Sequence, residues 1–169
     1  MNLYQDLGYL VLGSRLRRLS ENFLAEINRA YQNAGIDFDA SWFPAFYLLS
    51  KNNQLSIKEL SEQTGVSHPA ASQLITNLKN RKLVATVTCT DDGRRQMVQL
   101  TDSGWQLLVQ ILPVWDAILQ AMDDLLVEEP GFRALLPAIS SLEIAFKNAS
   151  LAERIGSKLS VEPKPAANE

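Results

Sequence analysis

Apolar residues recur every three or four positions over two long stretches, one at each end of the chain. Between them the pattern changes character twice. In the first stretch Leu12, Leu16, Leu19, Phe23, Ile27 and Ala30 fall on one helical face. They predict a helix from Leu3 to about Ala34, with Gly35 as its stop. A helix of about 30 residues is long for a globular protein, and its stripe suits either a core or a second chain. In the last third, Leu108, Ile111, Trp115, Ile118, Met122 and Leu125 alternate three and four apart, the spacing of a two-helix seam. Thr101 is placed to cap that helix, and Pro113 inside it predicts a kink. Pro130 opens a final helix in which Phe132, Leu135, Ile139, Leu142, Phe146 and Ala149 repeat the seam. Pro137 predicts a second kink. From about Ser160 the chain is a polar, Pro-containing tail, expected to be disordered.

The middle of the chain breaks into shorter pieces. IDFDASWFPAFYLLSKNN predicts a helix beginning near Asp39 or Ser41, and Pro44, tolerated only near a helix start, favours Ser41 as the cap. Ser56-Ile57-Lys58-Glu59 fits a capping box, with Leu55 and Leu60 at the staple positions. The helix it opens ends near Thr64-Gly65, and Val66 is placed to plug the angle to the next helix. Ser67 then caps a further helix with Pro69 in its first turn. Ala71, Leu74, Ile75 and Leu78 form the buried face of that helix. Periodicity then switches. Leu83 to Thr90 is rich in Val and Thr, Asp91-Asp92-Gly93 is turn chemistry, and Arg94 to Leu100 returns. Two short helices followed by a hairpin predict a mainly α fold: a winged helix-turn-helix with a small β-hairpin wing, flanked by long N- and C-terminal helices.

Composition narrows the class. The chain has 169 residues, 46% hydrophobic and 21% charged, enough to bury a core. No apolar run reaches the length of a membrane span. At the N-terminus the Arg residues follow the apolar ones, the reverse of a secretory signal, so a cytoplasmic protein with no membrane partner is expected. One Cys excludes an intrachain disulfide, and one His argues against a His-based zinc site, so no metal or cofactor is expected. The net charge of −3 is unevenly spread: Met1–Ser50 carries −1, Lys51–Leu100 carries +3 and Thr101–Glu169 carries −5. The basic excess lies on the predicted helix-turn-helix, and an acidic distal end would face away from phosphate.

The chemistry of one helix face points to duplex DNA. From Ser67 to Leu78 there is no Lys, Arg, Asp or Glu. Pro69, Ala70, Ser72, Gln73, Thr76, Asn77 and Asn80 lie opposite the buried face or at its margins. A solvated helix face is ordinarily rich in Glu and Lys. Small and amide side chains can instead enter the major groove: Gln and Asn pair with adenine, Ser and Thr reach base edges, and Ala meets the thymine methyl. Lys79, Arg81 and Lys82 follow, where phosphates would lie, and His68 in the first turn is a further phosphate contact or a surface residue. Arg94 and Arg95 at the hairpin tip are placed for the minor groove, with Asp92 able to hold Arg94. A second cluster, Trp42, Phe43, Phe46 and Tyr47, reads mainly as core. Its sharper reading, with the C-terminal face of the first helix and Trp105, is the wall of a pocket for a small apolar or aromatic ligand, whose acidic head group Arg15, Arg17 or Arg18 could meet. No Ser-His-Asp set, metal cluster or phosphate-binding Gly loop is present, so an enzyme is not expected. The competing class is a winged-helix adaptor that binds protein without DNA.

With these residues in view the chain resembles the MarR-type (multiple antibiotic resistance regulator) winged-helix transcription factors over roughly Leu3 to Ala149. The resemblance rests on IKELSEQTGVSHPAASQLITNLKNRKLV and on DDGRRQMVQLTDSG. The family's wing pattern, Asp-x-Arg followed by Leu-Thr-x-x-Gly, matches Asp92, Arg94, Leu100, Thr101 and Gly104. It implies a homodimer with an N-terminal dimerisation helix (residues 1–36), a DNA-binding winged domain (37–101), C-terminal dimerisation helices (102–158) and a disordered tail (159–169). It also implies a regulator, most often a repressor, on a pseudo-palindromic operator, released when a small phenolic or amphipathic ligand binds. The chain departs from the family at Gln73, where Arg is common, and at Lys82, where Gly is common. Its one thiol, Cys89, is expected to be a half-buried structural residue rather than an oxidant sensor.

Overall fold

Capping chemistry, more than the apolar stripe, decides where the helices begin and end. The computed structural model describes residues 6–88 and 96–159. The first helix, α1, spans Leu12–Asn33. Gly8–Val11 before it is a 3-10 turn, and Gly8 has φ +51°. A left-handed residue cannot continue a right-handed helix, so α1 starts at Leu12, after Gly8; the expected start at Leu3 lies outside the described residues. Gly35, at φ +70°, ends it as expected.

Asp39, not Ser41, caps the next segment. Its Oδ1 accepts from the Ser41 N–H at 2.8 Å and from the Ser41 hydroxyl at 2.6 Å. It opens a 3-10 turn, Ala40–Trp42, that runs into α2, Phe43–Lys51. Pro44 occupies the first turn of α2, where its missing N–H costs no helical bond. Helix α3, Ile57–Thr64, carries the expected capping box on Ser56 and Glu59. Gly65, at φ +71°, makes the turn into α4, His68–Asn80, whose cap is Ser67. Val66 is exposed and does not plug that turn. The turn is braced instead by the Ser61 hydroxyl, which donates to the Val66 carbonyl at 2.8 Å.

Strands β1, Val84–Thr88, and β2, Gln96–Leu100, pair antiparallel with Val84 opposite Leu100 and Thr88 opposite Gln96. A further bridge joins Leu55 to Val98 through two backbone hydrogen bonds of 3.0 and 2.7 Å, so the entry to α3 is fastened to the base of the hairpin. Helix α5 spans Asp102–Glu128 and remains one helix through Pro113. The core beneath these elements is aromatic at one end and aliphatic at the other. Phe38 meets Tyr31, Trp42 and Phe46 edge-on at 4.9, 5.5 and 5.1 Å. Leu49, Leu60, Ile75, Leu78, Val98, Leu108 and Ile111 complete it.

The chain divides into two compact units, 1–119 and 120–169, and the boundary falls inside α5. In the second unit the expected final helix is three pieces: a 3-10 turn Pro130–Ala134, α6 Leu135–Asn148 and α7 Leu151–Leu159. Pro137 lies in the first turn of α6, where the N–H it lacks would have no helical partner, so it needs no kink. The break before α7 is a capping box. The Ser150 hydroxyl accepts from the Glu153 N–H at 3.2 Å, and a Glu153 carboxylate oxygen accepts from the Ser150 N–H at 2.7 Å. The same carboxylate oxygen lies 3.0 Å from the Ser150 hydroxyl, and the bonds it accepts from the Ser150 N–H and hydroxyl hold the Glu153 carboxyl below the usual range. No helix among the described residues is long and apolar enough to cross a membrane.

Candidate nucleic-acid interface

Helix α4 buries Ala71, Ile75 and Leu78, with Leu74 partly buried beside them. That fixes which side chains point outward. His68, Pro69, Ala70, Gln73, Thr76, Asn77 and Lys79 are exposed, and Ser72 is half-buried at the margin. Ser67 serves as the cap, where its hydroxyl oxygen accepts from the Ala70 N–H at 3.4 Å, a bond that does not use its O–H as a donor. Two bonds prearrange the outward face. Gln73 donates through Nε2 to Asn77 Oδ1 at 3.0 Å, one helical turn on. Thr76 donates its hydroxyl to the Ser72 carbonyl at 2.9 Å, which leaves the Thr76 oxygen as an acceptor. The face therefore offers one linked amide pair, one hydroxyl acceptor and two small apolar residues.

The exit of α4 is built with equal care. The Leu83 N–H donates to the Leu78 carbonyl at 3.0 Å and the Lys82 N–H to the Lys79 carbonyl at 2.8 Å, a Schellman ending. It needs a left-handed residue, and Lys82 supplies it at φ 59°. Thr101 docks on this loop. Its hydroxyl donates to the Lys82 carbonyl at 2.6 Å and accepts from the Gly104 N–H at 3.1 Å, while its own N–H donates to the Leu83 carbonyl at 3.1 Å. A Cβ on Gly104 would collide with that same Leu83 carbonyl oxygen. The Leu-Thr-x-x-Gly pattern thus has a physical role: it fastens the base of the hairpin and the start of α5 to the end of α4. The hairpin's outer part, with Cys89, Asp92, Arg94 and Arg95, lies outside the described residues.

Sequence reasoning missed the role of Arg81. Its guanidinium lies 4.8 Å from the Trp42 ring centre, and its Nη1 meets the Asp37 carboxylate at 2.5 Å. Unlike Lys79 it is engaged by Asp37 and Trp42, although its side chain stays 47% exposed. The signal in the sequence was Asp37 beside an aromatic run, but their meeting with Arg81 depends on tertiary packing.

A cavity of about 510 Å³ opens in the first unit between α1, α2 and α5. Phe43 and Tyr47 line it, with Phe23, Ile27 and Tyr31 from the C-terminal half of α1, as the pocket reading expected. The other expected members do not. Trp42 and Phe46 are turned into the core, because α2 presents them on its buried face beside Phe38. Trp105 lies by a separate shallow depression with Asn53 and Thr101, and Arg15, Arg17 and Arg18 are on the exposed surface of α1. Their places are taken by Leu112, Trp115 and Asp116 of α5. Trp115 donates its indole N–H to the Tyr31 hydroxyl at 2.8 Å and meets Phe43 edge-on at 4.7 Å. Burial pushes the Tyr31 phenol above its ordinary range, opposed in part by that hydrogen bond. Lys51, at the rim, lies 5.6 Å from the Tyr47 ring centre. The walls are almost wholly apolar and aromatic, with Asp116 and Lys51 supplying one charge of each sign. Among the described residues no cluster of His, Cys, Asp and Glu is placed to hold a metal ion.

Solved structures share this fold. MepR of S. aureus, solved in complex with DNA, is 22% identical over 78% of this chain and 97% of its own, with a TM-score of 0.65. BpsR of Bordetella bronchiseptica, whose DNA binding is regulated by 6-hydroxynicotinic acid, is 25% identical over 76% and 91%, with a TM-score of 0.62. A MarR/EmrR family transcriptional regulator of Acinetobacter sp. ADP1 is 17% identical over 88% and 99%, with a TM-score of 0.64. No curated protein matches the chain. The MarR family model matches residues 36–95, from just after α1 through α4 and β1 to the residue before β2. The chain carries a MarR-family winged helix-turn-helix domain, and its fold is that of the MarR-family regulators.

Proposed function

We propose that this protein is a sequence-specific transcriptional regulator that binds duplex DNA as a homodimer. Its α4 face enters the major groove. Ser67, His68 and Lys79 meet phosphates. Pro69, Ala70, Ser72, Gln73, Thr76 and Asn77 face base edges, and the wing residues Asp92, Arg94 and Arg95 meet the minor groove. The observation that carries this reading is the uncharged outer face of α4, with the Gln73–Asn77 pair at its centre, on a helix locked at both ends. A helix that only met water would gain nothing from excluding Lys and Glu there. The family domain and the DNA-bound state of MepR support the same partner.

The second copy is expected on the terminal helices. On α1, Leu16, Leu19, Phe23 and Leu24 form an exposed apolar stripe, and in the second unit Leu136, Ile144, Phe146, Ile155 and Leu159 are exposed. Apolar area of that extent ordinarily marks an interface, and a twofold dimer would present two copies of α4 to successive grooves. The cavity beside Tyr31 and Trp115 would take a flat apolar or aromatic ligand whose hydrogen-bond acceptor meets the Tyr31 hydroxyl. BpsR provides the precedent for regulation by such a ligand. Release from an operator would make the protein a repressor.

Selection of bound sequences from random duplex DNA tests the reading. A pair of inverted half-sites about one helical turn apart is the expected product. Recovery of unrelated sequences, or a single unpaired site, would overturn the dimeric docking.

A further inference from the structure

We propose that Arg81 is a positioning residue for the reading helix and not a phosphate contact, held in that role by Asp37 and Trp42. The inference rests on the reading of α4 as the DNA-facing helix. By sequence Lys79, Arg81 and Lys82 are three equivalent cations at the exit of one helix. The structure separates them. Lys79 is exposed on the last turn of α4, and Lys82 forms the left-handed corner at φ 59°. Arg81, the residue that ends α4, reaches back across the domain. Its Nη1 meets the Asp37 carboxylate at 2.5 Å and its guanidinium carbon lies over the Trp42 ring, 4.8 Å from the ring centre.

Energy alone does not explain this clamp. The Asp37 side chain is 85% exposed, and an ion pair so open to water adds little stability. Its effect is geometric. A guanidinium held over an indole and bonded to a carboxylate is restrained from two sides at once. The indole cannot yield: Trp42 is buried and backed by Phe38, which is wedged against Tyr31 and Phe46. The clamp thus ties the C-terminal end of α4 to the connection between α1 and α2.

That end of α4 is where an anchor matters. The corner at Lys82 is held by a residue that disfavours its conformation. Gln73 lies eight residues before Arg81, about 12 Å along the helix axis. A tilt of about 10° at the exit moves Gln73 by about 2 Å, well beyond the roughly 0.5 Å within which a positioned hydrogen bond must be held. The clamp stiffens the lever on which base reading depends.

Asp37→Ala discriminates the two roles because it removes a negative charge. If Arg81 contacts phosphate, freeing it from Asp37 strengthens binding to every duplex. If Arg81 positions α4, Asp37→Ala weakens binding to the selected duplex and not to a scrambled one. The expected result is a fall of roughly tenfold in the ratio of the two affinities, about the loss of one matched base pair. Arg81→Lys keeps the charge but not the fork or the stacking plane, and should lose a similar ratio with an unchanged salt slope. Arg81→Ala should also leave the slope unchanged, whereas loss of a phosphate contact lowers it by about one. Circular dichroism and the thermal midpoint of each variant confirm that the fold is retained. Tighter binding of Asp37→Ala to both duplexes, or a salt slope reduced by about one in Arg81→Ala, overturns the proposal. A wild-type chain with no preference between the duplexes would instead remove the reading of α4 itself, and the proposal with it.

Discussion

Gln73 and Asn77 are joined by a 3.0 Å hydrogen bond on the exposed face of α4. The bond holds the Gln73 amide in one plane before any partner arrives, so less side-chain freedom is lost on binding. On the DNA-binding reading, Gln73→Ala relaxes preference at one base position, at a cost of about 1–3 kcal/mol. Asn77→Ala leaves Gln73 in place but unlinked, and should blunt the same position by a smaller amount. Both effects are read from affinities for a panel of single-base variants of the selected duplex. Equal losses on every duplex would show that neither amide reads a base.

The corner at the end of α4 yields a prediction about stability. Lys82 occupies a left-handed conformation, φ 59°, that costs an L-residue about 1–2 kcal/mol. Lys82→Gly removes that cost but adds backbone entropy to the unfolded chain. The net expectation is a gain of about 0.5–1 kcal/mol, measured as a higher urea midpoint with an unchanged slope. A lower midpoint would mean that the Lys82 side chain contributes packing that outweighs the strain.

Gly104 predicts the opposite sign. Alanine is the better helix former by about 1 kcal/mol, yet a Cβ here meets the Leu83 backbone carbonyl. Since backbone cannot swing aside as a side chain can, Gly104→Ala should destabilise the domain by about 1–3 kcal/mol. It should also loosen the wing, because Thr101 and Leu83 share that contact. Thermal denaturation gives the first effect, and hydrogen exchange at the Thr101 and Leu83 amides the second. A midpoint at or above that of the wild type would show that α5 shifts to accept the methyl group.

Tyr31 and Trp115 carry a pH signature. Burial raises the Tyr31 phenol above its ordinary value of 10.0. The native state therefore holds the proton after the unfolded chain begins to release it. The stability involved is fully present below about pH 10 and is lost as pH rises from there through the folded value. Tyr31→Phe should flatten that alkaline loss. At neutral pH it should cost about 1–2 kcal/mol, because the Trp115 N–H loses its acceptor. Urea titrations of both proteins at neutral and alkaline pH make the comparison. An undiminished alkaline loss in Tyr31→Phe would assign the effect to other groups. The same pair offers a probe of the cavity: a compound bound against Trp115 should change its fluorescence and, if it regulates the protein, weaken affinity for the selected duplex.

How much of this was legible in the sequence depended on how local each feature is. The capping box at Ser56, the cap at Ser67, the turn at Gly65 and the buried face of α4 are set by neighbours within a few residues, and the structure has them where the sequence put them. Ser150 and Glu153 form the same local signal, and it was hidden under an apolar stripe that runs on past Ala149. The stripe in α1 likewise masked the break at Gly8. Features made by contacts distant in sequence were not legible. The aromatic cluster at Trp42–Tyr47 divides between core and cavity because α2 has two faces, and which one is covered depends on Phe38 and Trp115. The contacts of Arg81 with Asp37 and Trp42 could not be read from the sequence, because nothing within its own helix reveals those partners. The Leu-Thr-x-x-Gly pattern marked the family at once, but its reason, the docking of Thr101 and Gly104 on the exit of α4, is visible only in three dimensions.

The central claim is that the uncharged face of α4 reads duplex DNA. The most direct test compares the affinity of the full chain for its selected duplex with that for a scrambled duplex of the same length and composition, across a series of salt concentrations. The account predicts a preference of about 10³-fold or more for the selected duplex. Both affinities should fall steeply as salt rises. Equal affinity for the two duplexes at every salt concentration, or binding that ignores salt altogether, would contradict it.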